Sequence, residues 1–161
     1  MCGDSPLSPR ARQANVPPAD KGLRCPPVVS LEDAARMAIE LPGVVEGEHH
    51  GHRTWSVPGC KGFAWERPFS KADIKRFGNM TPPDGPILAV RVDDLGEKEA
   101  VLAAAQKGFF TIPHFDGYAA VLIHLKAVAK RPLRDVLIDG WLACAPDDQA
   151  RAFLATKRTR K

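Results

Sequence analysis

The residues best suited to chemistry sit in Glu46-Gly47-Glu48-His49-His50-Gly51-His52, where three imidazoles and two carboxylates fall within one short stretch. These are ligand types for zinc or iron. On a strand, His49 and His50 would point to opposite faces and His50 and His52 to the same one. A third ligand would then have to come from His114 or Asp116, and the spacing matches no established metal motif, so the stretch reads as a polar strand edge. His114, Asp116 and Tyr118 lie in FFTIPHFDGY (109–118), and His with Asp is the pairing that general base chemistry uses. No nucleophile accompanies them: there is no G-x-S-x-G elbow, and nothing marks Ser56, Ser70 or Cys60 as activated. Glycines 59, 62, 78 and 85 form neither a G-x-x-x-x-G-K-[ST] nor a G-x-G-x-x-G loop, so no nucleotide cofactor is implied. The expectation is a protein without enzymatic activity, cofactor or metal, with His50, His52, His114, Asp116 and Tyr118 as the candidate lining of a pocket.

Two basic segments suggest a different chemistry. Arg53, Lys61, Arg67, Lys71, Lys75 and Arg76 are interrupted by Glu66 and Asp73, while Lys126, Lys130, Arg131 and Arg134 meet no acid until Asp135. Brought to one side of the fold, they would neutralise phosphates of double-stranded DNA with a salt-dependent affinity. The net charge of +4 does not itself support this. Four cations sit in the last five residues and a net +2 in residues 1–29, which leaves −2 for residues 30–156. DNA affinity would have to come from a local patch.

The elements that must position these residues occupy one domain, since 161 residues bury one sizeable core and not two. Residues 1–29 carry six prolines and few large apolar side chains, and read as a disordered leader. Residues 157–161 read as a basic tail. No run of about 18 apolar residues is present and the N-terminus lacks an apolar signal region, so the expectation is a cytoplasmic protein with no membrane partner. The four cysteines form no C-x-x-C pair and are expected to be free thiols.

Ser30 with Asp33 approximates a capping box, and Leu31, Ala34, Ala35, Ala38 and Leu41 then share a helical face until Pro42-Gly43. Period 2 follows: Trp55 and Val57, then Phe63 and Trp65, alternate around Pro58-Gly59-Cys60-Lys61 as a hairpin. Residues 69–85 form a long excursion with one helical turn, and Leu88, Val90 and Val92 make a third strand. A helix from Asp94 to Gly108, strands at 109–112 and 118–125, and helices starting at Pro132 and Pro146 complete the order. Trp55, Phe63, Trp65, Phe109, Phe110 and Trp141 read as core. The fold class is α+β, with an antiparallel sheet and helices packed on one face.

The blocks LPGVVEGEHHGHRTWSVPGCKGFAW (41–65), VRVDDLGEKEAVLAA (90–104), FFTIPHFDGYAAVLIHL (109–125) and DGWLACAPDDQARAFLA (139–155) resemble the MmcQ/YjbR family, across roughly Leu31 to Leu154. The resemblance implies an α-β(3)-α-β(2)-α arrangement similar to secretion chaperones. It also implies a DNA-binding role through a double wing of hairpins, with no agreed catalytic motif to transfer. The competing expectation is a module of the same chaperone-like fold that binds a protein or a small ligand.

Overall fold

The first helix, α1 (Leu31–Ile39), begins at Ser30, whose hydroxyl accepts the Asp33 N–H while the Asp33 carboxylate accepts the Ser30 N–H. This capping box is the one legible in the sequence. The computed structural model describes Gly3 and residues 28–160, so the leader expected at 1–29 lies almost wholly outside the described residues. After α1 come β1 (Val45–His49), β2 (His52–Ser56), β3 (Ala64–Glu66), α2 (Lys71–Arg76), β4 (Ile87–Arg91), α3 (Leu95–Ala103) and β5 (Phe109–Phe110). A 3-10 turn (Pro113–Phe115), β6 (Ala120–His124), α4 (Lys130–Cys144) and α5 (Asp147–Thr159) follow. The last helix absorbs Lys157 and Arg158, which were expected in a separate tail. Among the described residues no helix is long and apolar enough to cross a membrane.

The strands form one antiparallel sheet in the order β1-β2-β3-β4-β6-β5, which makes the molecule an α+β protein as its patterning implies. It has one strand more than the five expected. That strand is β1, exposed at every position, so no alternation of apolar and polar residues could announce it. Its connection to β2 is a two-residue turn at His50-Gly51, both with positive φ (53° and 80°), the backbone of a type I′ hairpin.

One face of the sheet carries Trp55, Val57, Phe63, Leu88, Val90, Val121 and Ile123 against α1, α3 and α4. The other carries Ile87, Ala89, Ala120 and Leu122 against Trp65, Phe69, Phe77, Phe110, Ile112 and Phe115. Trp65 therefore stands on the opposite face from Phe63, not beside it as the period-2 reading expects. The cause is local. The Phe63 N–H donates to the Trp55 carbonyl while Trp55 also pairs with Ala64, so two residues of one strand oppose one of its neighbour. Such a bulge advances the phase by one residue and turns Trp65 over.

Helix α4 begins at Lys130, two residues earlier than Pro132 suggests, and lies close on β4 because Gly140 has no side chain. A Cβ there would stand 2.8 Å from the Arg91 carbonyl oxygen and 2.8 Å from Val90 Cγ1. Gly→Ala inside a helix ordinarily stabilises by about 1 kcal/mol. Here the clash is with strand backbone that cannot step aside, and overpacking of this kind costs about 1–3 kcal/mol. We expect Gly140→Ala to lower the midpoint of chemical denaturation; an unchanged or raised midpoint would refute this packing.

Candidate functional site

The cover on the second face stops short of β1 and β2, and a cavity of about 840 Å³ opens there. Cross-strand pairing puts His49 opposite His52 and Thr54 opposite Trp65. His50 occupies the turn, so the sequence-based pairing of His50 with His52 on one strand face is replaced by His49 with His52. All three imidazoles nevertheless line the same cavity. Among the described residues no group of three or more His, Cys, Asp or Glu is placed to hold a metal ion.

Arg91 ends β4 and lines this cavity. Its guanidinium lies 5.8 Å from the Trp65 ring centroid and 5.4 Å from that of Tyr118. Its Nη2 donates to the Tyr118 hydroxyl (2.9 Å) and its Nε to the Gly62 carbonyl (3.3 Å). A guanidinium has five N–H donors, and Arg91 forms no salt bridge to an acid among the described residues. A half-buried guanidinium packed beside two touching rings, with N–H donors beyond the two it uses, has the chemistry to make charge-assisted hydrogen bonds to an anion. Lys61 adds a second cation on the same wall without an ion pair among the described residues.

Two polar anchors hold the walls. Asp73, with only 2% of its side chain exposed, caps α2 through Ser70 and accepts from Arg67 Nη2 at 2.9 Å. Burial pushes its pKa up, but the Ser70 and Arg67 hydrogen bonds outweigh burial and hold it below the usual carboxylate value of 3.8. This capping box, Ser70-x-x-Asp73, repeats the Ser30-x-x-Asp33 pattern, although the sequence reading placed only one helical turn here and did not single it out. On the other wall, buried Lys98 donates to the carbonyls of Phe115 (2.5 Å) and Tyr118 (3.0 Å), fixing the turn that carries Tyr118. Burial lowers the Lys98 pKa against the opposing pull of Asp116.

Of the expected pocket residues, His50, His52 and Tyr118 meet in the cavity. His114 lines a smaller adjoining hollow of about 250 Å³ that shares Trp65, Arg67 and Tyr118. Asp116 lines neither. Trp65, Phe69 and Arg91 were not singled out for the site. Arg91 could have been, because Leu88, Val90 and Val92 face the helices and so send it to the other side.

The cations expected on DNA are dispersed. Lys71, Lys75 and Arg76 belong to the excursion on the cavity face, whereas Lys130, Arg131 and Arg134 start α4 on the helical face. Arg53 is held by Glu46 and Glu32, Arg67 and Arg76 by Asp73, Lys126 by Asp84 and Arg134 by Glu40. Lys61, Lys71, Lys75, Lys130 and Arg131 form no salt bridge among the described residues.

The fold and cavity together define a small α+β protein with a cation-lined hollow on the open part of an antiparallel sheet. Its sequence is 42% identical over 131 residues to uncharacterised protein Rv2570 of Mycobacterium tuberculosis (strain H37Rv) and to uncharacterised protein Mb2600 of Mycobacterium bovis, covering 80% of this chain and 98% of each relative. The chain belongs to the family of these mycobacterial proteins. No protein-family model matches it, and no solved structure does.

Removing the Asp73 carboxylate leaves Arg67 and the α2 cap without their partner, and we expect Asp73→Ala to cost roughly 2–4 kcal/mol. Because the folded-state pKa is depressed, the carboxylate stabilises fully above pH 3.8 and loses its effect as pH falls below that value. Thermal melts of wild type and Asp73→Ala should therefore converge as the pH is lowered from 5 towards 2. A gap that persists undiminished at acid pH would contradict this role.

Proposed function

We propose that this protein is a non-enzymatic binding module of the MmcQ/YjbR type that takes a small anionic ligand into the sheet-face cavity. The observation that carries this reading is Arg91, a half-buried guanidinium without an acidic partner among the described residues, packed against both Trp65 and Tyr118 in a cavity of about 840 Å³. Such a volume suits small-molecule sites, which run to about 300–1,000 Å³. The field of the cavity supports it too. Lys61 and Arg91, neither ion-paired among the described residues, share the lining with a single acid, Glu66, in a stretch of chain (30–156) whose net charge is −2, while Arg67 is held by Asp73. A local reversal of charge inside a concave wall focuses potential on an anion.

Duplex DNA is the alternative that the basic segments suggest. Their division between the two layers of the sheet, and the pairing of half their cations with acids, weigh against a continuous phosphate-binding surface. Such a surface depends on several unscreened cations acting together.

Calorimetric titration of the full chain with inorganic pyrophosphate at low salt should show one saturable site, weakened about tenfold or more in Arg91→Ala by loss of its charge-assisted hydrogen bonds. Thermal melts establish that the variant is folded, and Lys61→Ala, at an exposed position, provides a second variant with the same expected direction. No heat with pyrophosphate, or equal affinity in wild type and both variants, would sink the proposal. Salt-dependent binding of a duplex that is unaffected by Arg91→Ala and Lys61→Ala would replace it with the DNA reading.

A further inference from the structure

The cavity holds more than a simple anion needs. Three aromatic side chains, Trp65, Phe69 and Tyr118, line it beside the cations, and Tyr118 is 41% exposed to water. Trp65 and Tyr118 meet edge to face at 6.4 Å, and Phe69 is held by Phe77 at 5.3 Å, so the rings are fixed in place. Rings left half-exposed around a cationic floor match a ligand that carries a flat apolar group next to its charge. The lining also includes Glu66, which accepts no side-chain hydrogen bond among the described residues. A bare phosphate offers nothing to an aromatic face, and at neutral pH little to a carboxylate. A ligand with hydroxyl or amino donors suits both.

On the reading of the cavity as an anion site, we propose that its ligand is a free nucleoside monophosphate. Its phosphate meets Arg91 and Lys61, its base packs against the aromatic wall, and its donors face Glu66. A paired duplex cannot offer a base to this wall, because its bases are stacked within the helix. An unpaired nucleotide can, and base stacking on aromatic side chains is sequence-tolerant.

Tryptophan fluorescence tests this directly. Trp55 and Trp141 are fully buried, so of the three tryptophans only Trp65 can touch a ligand in the cavity. Titration of the full chain with AMP should quench the emission saturably, and the quench should vanish in Trp65→Phe. A quench that survives in Trp65→Phe would overturn the assignment of the base to this wall. AMP should also bind at least about fivefold more tightly than inorganic phosphate by calorimetry, the lower end of one stacked base. Equal affinities for AMP and phosphate would overturn the nucleotide proposal while leaving the anion site standing. Failure of pyrophosphate, phosphate and AMP alike would remove both. A four-nucleotide single strand that binds more tightly per site than AMP would overturn the free nucleotide in favour of a strand. Lys61→Ala should weaken AMP but not adenosine, and equal losses for the two would count against the phosphate position.

Discussion

Strands β4 and β6 are buried on both of their faces, and most of the architecture follows from that constraint. Ile87, Leu88, Ala89 and Val90, and Ala120 through Ile123, are all at most 1% exposed. A sheet that hides both sides of its central strands needs two layers of cover. Helices α1, α3 and α4 provide one. The second comes from irregular chain, the 67–86 excursion and the 112–118 turn, which contribute Phe69, Phe77, Ile112 and Phe115.

Irregular cover cannot satisfy its backbone by helical or strand bonding alone, so it needs polar fastenings. Asp73 and Lys98 serve that purpose, one clamping α2 through Ser70 and Arg67, the other gathering two carbonyls of the turn. They are the two buried charged residues of the described fold, and each has its hydrogen-bond partners. The cavity follows from where this cover ends. It reaches β4, β6 and β5 but leaves β1 and β2 open, so Thr54, His52 and the flipped Trp65 face a hollow whose edges are the two fastened segments.

Much of the scaffold is legible in the residues. The Ser30 and Asp33 box, the Leu88-Val90-Val92 alternation and the Asp94 cap each act within a few residues, and each forms as its local chemistry requires. The stretch holding β1 read as a polar strand edge but was not counted among the strands, because it buries nothing and periodicity reports burial rather than pairing. Trp65 was placed on the wrong face because one extra residue in a bulge shifts the phase, and period-2 reasoning assumes none.

The sequence by itself determined the α+β class, the starts of α1 and α3 and the distribution of charge, since caps, periodicity and formal charge are local properties. It also marked the histidines and the HFDGY turn as unusual. Only the tertiary structure decided that His49 and His52 pair across a hairpin, and that Trp65 shares a wall with Arg91 and Tyr118. Only there, too, do the basic segments divide between two layers. Those facts depend on strand register and on which layer each connection crosses, and long-range contacts of that kind have no signature in the spacing of neighbouring residues.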